Sequence, residues 1–218
     1  MSEPVASHPA SGLVGATPPT TPPPALASLA REVFAARPEL GEDIRARPGI
    51  ETGPQFLASL MASTTPEEAV TFCAYLLPPA AAVGWGHRCL AAWPAAIGPR
   101  DADLVRPIGE WLACPHDDRQ REDLRREILD MAVARRPRSP AVWVSLGLGW
   151  SSGSISAPDL PTVPAPAFAT PRAINAGILG LLARVGLAER AATLEEFVSF
   201  ARRIAAAIVS GDDIRQQH

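Results

Sequence analysis

The chain has 218 residues, 47% of them hydrophobic and 20% charged, a globular composition with enough apolar material for one core of ordinary domain size. A net charge of −3 offers no basic footprint for phosphate backbones and no acidic run to mimic them, so no nucleic acid is expected as a partner. The three cysteines, Cys73, Cys89 and Cys114, are odd in number and lack close spacing, which argues against a disulfide-stapled secreted domain and for a reducing, cytoplasmic setting.

The first residues, Met-Ser-Glu-Pro, do not have the pattern of a signal peptide. The most apolar stretches, Ala141 to Trp150 and Ala173 to Leu187, are shorter than the roughly 20 residues a membrane span needs, and no membrane insertion is expected. Residues 1–24 hold Pro4, Pro9, Pro18, Pro19, Pro22, Pro23 and Pro24 among Ser, Thr, Ala and Gly, without apolar periodicity. They are expected to be disordered or polyproline-like, and read as a tether more readily than as a ligand for an aromatic groove.

From Ala25 the pattern is helices punctuated by proline and glycine. Leu26, Leu29, Val33 and Phe34 predict a first helix before Pro38, and Phe56, Leu57 and Leu60 a second after Pro54. Thr65-Pro66-Glu67-Glu68 reads as a capping box, opening a helix to Leu77 with Ala69, Phe72, Cys73 and Leu76 inward. Pro78-Pro79 breaks it, and the next helix, from Ala80 to about Trp93, puts Trp85, Cys89, Ala92 and Trp93 on one face.

Residues 101–113 predict a helix with Leu104, Ile108, Trp111 and Leu112 inward, despite Pro107. Asp117 to Arg136 predicts a long surface helix with its charges matched to the macrodipole and a Glu122–Arg126 pair; Leu124, Ile128, Met131 and Ala132 face inward. Ala141 to Trp150 is read as a helix, although its Val-Trp-Val run also suits a buried strand. Residues 151–170, with four prolines, form a loop unusually long for a compact domain. Thr170-Pro171 then opens a buried helix with a flat Gly177–Gly180 side, and Thr193-Leu194-Glu195-Glu196 reads as a second capping box for a final helix ending at Gly211. The expectation is an all-α fold: a single irregular bundle of about nine helices over residues 25–211, with short tails at 1–24 and 212–218.

Five residues, Cys73, His87, Cys89, Cys114 and His116, have side chains able to bind zinc. His87 and Cys89 stand two positions apart, about 200 degrees around a helix, and the cysteines at 73 and 89 lie on apolar stripes, so buried thiols are the preferred reading and no metal or cofactor is expected. The Trp150-Ser151-Ser152-Gly153-Ser154 stretch lacks the strand–turn–helix context of a nucleophile elbow, and no catalytic residue is assigned. Core use is the commoner reading of the five tryptophans, but five against one tyrosine, in a chain rich in arginine, also leave a protein interface open. Trp85, Trp93, Trp150, Ser151, Ser152 and Ser154 are the candidates for partner contact.

The stretch TPEEAVTFCAYLLPPAAAVGWGHRCLAAW, residues 65–93, followed by PAVWVSLGLGWSSGSI, resembles an uncharacterised family of bacterial domains of unknown function, the likeness covering about residues 55–185. The family names no activity. Its relatives' occurrence beside contractile (type VI) secretion genes implies an accessory or adaptor role. The functional expectation is therefore a non-enzymatic protein-interaction module. The alternative is an enzyme, or a metal- or small-ligand-binding protein, built on the Cys73, His87, Cys89, Cys114 and His116 set.

Overall fold

A computed structural model describes residues 29–115, 119–157 and 159–216. The proline-rich segment 1–24, His116, and Asp117 with Asp118 fall outside them. Among the described residues the fold is all-α, with ten helices: α1 (Ala30–Ala36), α2 (Leu40–Asp43), α3 (Gly53–Met61), α4 (Glu68–Leu76), α5 (Pro79–Ala92), α6 (Ala102–Ala113), α7 (Arg119–Ala134), α8 (Pro140–Gly149), α9 (Ala169–Leu182) and α10 (Leu187–Gln216). A 3-10 turn, Pro94–Ala96, follows α5, and one antiparallel bridge joins Leu29 to Thr52. The helix beyond the nine expected is α2, a four-residue turn after Pro38 that is too short to show periodicity.

At the centre α5, α8 and α9 pack on one another. The prolines at 79 and 140 start two of these helices, where a missing N–H costs no helical bond, and Ser139 caps α8 by accepting from the Val142 amide. That settles Ala141–Trp150 as helix: nearly every α8 residue is buried, as a helix with neighbours on all sides requires. Contact is close because glycines stand where helices cross. A Cβ on Gly177 would lie 2.9 Å from Val144 Cγ2 and 3.1 Å from the Pro140 carbonyl oxygen, and one on Gly147 would lie 2.8 Å from Ile174 Cδ1. The flat glycine side expected of α9 is the face it turns to α8.

Helix α7 covers α8 from the other side, and here the tightest approach falls at Gly149, whose added Cβ would meet Leu129 Cδ1 at 2.5 Å and Leu129 Cβ at 2.7 Å. Cβ is anchored to the backbone and cannot swing aside. Gly149→Ala is expected to lose about 2 kcal/mol, the overpacking strain of about 3 outweighing the roughly 1 that alanine gains in a helix. The comparison is Gly98→Ala, where nothing lies within 4 Å and urea unfolding should be unchanged. Equal midpoints for the two variants would refute the close approach.

Helix α4 departs from the one-sided stripe: Ala69 through Leu76 are all buried, because α2, α3, α9 and α10 surround it. Its polar positions find partners far along the chain. Thr71 Oγ1 donates to Asn175 Oδ1 at 3.2 Å, and the Tyr75 hydroxyl donates to Asp43 Oδ2, which Arg172 also holds. Phe34, Phe56 and Phe72 form an aromatic cluster under α1 and α3, the closest centroids 5.1 Å apart.

Neither expected capping box forms. The Glu68 carboxylate reaches instead to the Arg45 and Ala46 amides at 3.0 and 3.1 Å, past the end of α2, and the turn at Thr65 closes by backbone bonds. Thr193 lies inside α10, which already begins at Leu187, and its hydroxyl donates to the Glu189 carbonyl one turn back. The reciprocal pair is Thr52 with Gln55 at the start of α3, where the Thr52 amide donates to Gln55 Oε1 at 2.9 Å. Helix α10 also runs past Gly211, the expected stop, since one glycine without a following proline costs a helix only about 1 kcal/mol.

Candidate functional site

The connection from Trp150 to Phe168 links the two most closely packed helices, α8 and α9, and is the longest irregular segment among the described residues. Its anchor is on α7. Arg125 is completely buried, and its guanidinium donates to the carbonyls of Gly149 and Ser154 while its Nε and Nη2 meet the two Glu122 oxygens at 2.7 Å each. Glu122 also holds Arg126 at 2.8 Å, the pair expected from sequence, and Arg126 Nη1 reaches the Ser156 carbonyl at 3.2 Å. Gly153, at a φ of 65 degrees, brings the backbone over this charge cluster, where a Cβ would lie 2.9 Å from Arg125 Nη2.

A second tie is Ser154. Its buried hydroxyl accepts from the Ser156 and Val163 amides at 3.2 and 3.0 Å, and the Ile155 amide donates to the Val163 carbonyl at 2.8 Å. Ser156 Oγ donates on to the Pro161 carbonyl. With the Ser154 hydroxyl turned inward, the loop presents Ile155, Leu160 and Val163 to solvent at 39, 57 and 47% exposure, alongside the exposed Asp159 and Thr162. A loop pinned in this way has little ordering entropy left to lose on binding.

The partner-contact candidates separate accordingly. Trp85 is in the core, with Nε1 donating to the Phe197 carbonyl at 2.8 Å, and cannot reach a partner in this fold. Trp93, at the end of α5, and Trp150, at the end of α8, are half-buried. Ser151 donates to the Leu148 carbonyl, Ser152 is exposed, and Ser154 is the internal tie of the loop. Arg125 is the residue that sequence reasoning missed. It lies with Arg121 in phase with Ile128 and Ala132, so the inward stripe of α7 begins with two arginines. Arg121 caps the end of α6 by donating to the Trp111 carbonyl and lies 3.8 Å from the Trp111 ring.

Among the described residues, which exclude His116, no three of His, Cys, Asp or Glu are placed to hold a metal. Cys73 and Cys89 are buried in α4 and α5, where loss of solvent raises the first thiol to about 12 and the second well above its ordinary value, so both stay protonated at neutral pH. Cys114 is half-exposed just past α6. His87 is half-buried against Gly109, and burial lowers its pKa, leaving it a neutral packing group.

No helix among the described residues is long and apolar enough to cross a membrane. A family model, "Family of unknown function (DUF6931)", matches residues 56–205, from α3 into α10. No curated protein and no solved structure matches the chain.

Proposed function

We propose that this chain, which belongs to the DUF6931 family of unknown function, is a non-enzymatic protein-interaction module whose contact face is the α8–α9 loop. One observation carries the reading: a long loop fastened from beneath by a fully buried arginine and a buried serine nevertheless turns Ile155, Leu160 and Val163 outward. A loop whose only task was to connect two helices would need neither this fastening nor an apolar rim. The specific form proposed for this module is an accessory or adaptor protein of a bacterial secretion apparatus.

The test is photo-crosslinking in the native cells from a reactive residue placed at Leu160, with the exposed position Glu195 on α10 as comparison. A discrete adduct to one protein from position 160 but not from 195, abolished by Ile155→Ser with Val163→Ser, is expected. Identical adduct patterns from both positions, or none, would sink the reading.

A further inference from the structure

A second surface stands apart from the loop. Where α7 gives way to α8, a cleft of about 710 Å³ is lined by Arg100, Arg135, Arg136, Arg138 and Arg184, with Asp101 the acidic member of the wall. These residues come from three separated stretches of chain: before α6, between α7 and α8, and after α9. Five of the 20 arginines of a chain with net charge −3 thus meet at one place.

Only one of the five is neutralised. Arg135 takes the Asp103 carboxylate in a two-pronged grip, Nη1 to Oδ1 at 2.8 Å and Nη2 to Oδ2 at 2.5 Å, with Asp101 3.7 Å away. Arg136 donates to the Val133 and Arg135 carbonyls, Arg184 to the Ala96 carbonyl, and Arg138 lies over the Trp143 ring. Carbonyls and rings orient a guanidinium without cancelling its charge. Among the described residues none of Arg100, Arg136, Arg138 and Arg184 has an ion-pair partner, so about four positive charges focus on one concave space.

We infer that this cleft binds an acidic peptide segment of the partner protein, its spaced carboxylates taken by Arg100, Arg136, Arg138 and Arg184. This deepens the proposed function and rests on it only in that the ligand belongs to a protein. Three features favour carboxylates over other anions. The Arg135–Asp103 grip shows the same chemistry already realised by one of the lining arginines. Asp101 repels a compact dianionic phosphate more than it repels singly charged carboxylates set apart along a chain. No aromatic side chain among the described residues lines the cleft, which leaves a nucleobase nothing to stack on.

The experiment titrates the full chain with a fluorescent decaglutamate peptide, alongside inorganic triphosphate and a labelled single-stranded oligonucleotide. Saturable, salt-sensitive binding of the peptide is expected, weakened about tenfold or more by Arg136→Gln with Arg138→Gln. Arg31→Gln with Arg119→Gln removes the same charge from exposed sites elsewhere and should leave affinity unchanged. Arg100→Gln with Arg184→Gln supplies a second disruption on different segments, should the first pair fail to fold. Absence of peptide binding, equal loss in the control pair, or tighter binding of triphosphate or oligonucleotide would each overturn the assignment. Because the loop is probed by crosslinking and the cleft by titration, failure of one leaves the other readable.

Discussion

Arg125→Ala is expected to lower the stability of the chain by about 3–5 kcal/mol and to detach the α8–α9 loop. The cost arises because the side chain is wholly buried and its donors are divided between helix and loop: removal strips the Gly149 and Ser154 carbonyls of a charged donor and leaves a cavity between them. Glu122 is not orphaned, since Arg126 Nε remains 2.8 Å from its Oε1, which holds the loss toward the lower end of the range. Urea unfolding measures it; a change within error of the surface variant Arg119→Ala would show that Arg125 does not anchor the loop.

The same cluster has an acid signature. The hydrogen bond from Arg125 is the main cause that holds the Glu122 carboxyl below its ordinary 4.5, with Arg126 adding to it. A carboxyl whose folded value lies below its unfolded one contributes stability that is complete above about 4.5 and is lost as pH falls through the lower folded value. In Arg125→Ala this acid-sensitive part should shrink, because only Arg126 is left to favour the charged form.

Trp85→Ala is the second large effect, about 3–5 kcal/mol, from emptying the space of the largest fully buried side chain where α5 meets α10. Trp85→Phe separates apolar filling from the hydrogen bond to Phe197. That carbonyl sits inside α10 and already accepts from the next helical turn, so losing the indole donor should cost only about 1 kcal/mol. If Trp85→Ala left urea unfolding unchanged while abolishing the crosslink at position 160, Trp85 would be a contact residue after all and its core placement wrong.

Several elements were legible before the fold was known. The stripe of Leu104, Ile108 and Trp111 fixed α6, the Pro78-Pro79 pair fixed where α5 begins, and the glycines of α9 announced a close helix crossing. Much of what escaped depends on partners that local pattern cannot show, several of them far away along the chain. Thr71 and Tyr75 make α4 look half-polar, and only Asn175 and Asp43, 104 and 32 residues distant, allow it to be buried all round. Glu68 resembles a capping residue of its own helix, yet amides 22 and 23 positions earlier capture it. Arg121 and Arg125 resemble solvated charge because local pattern cannot show the carbonyl groups they meet.

The candidate site was legible in outline only. Its length and prolines marked residues 151–170 as the irregular element to inspect, and Ser154 stood among the candidates. Its inward-facing hydroxyl, the arginine beneath it and the outward Ile155, Leu160 and Val163 follow from the fold alone. Trp85 drew attention because tryptophan favours interfaces, but a large ring at a helix–helix contact fills a core equally well.

That the loop is a fastened, outward-facing surface is tested most directly by hydrogen exchange of the Ile155 and Val163 amides, bonded to the Val163 carbonyl and to Ser154 Oγ. In the full-length chain both should exchange far more slowly than unstructured amides, and both should lose that protection in Arg125→Ala while amides in α9 keep theirs. Exchange at the unprotected rate in the unaltered chain would contradict the fastened loop and, with it, the proposed contact face.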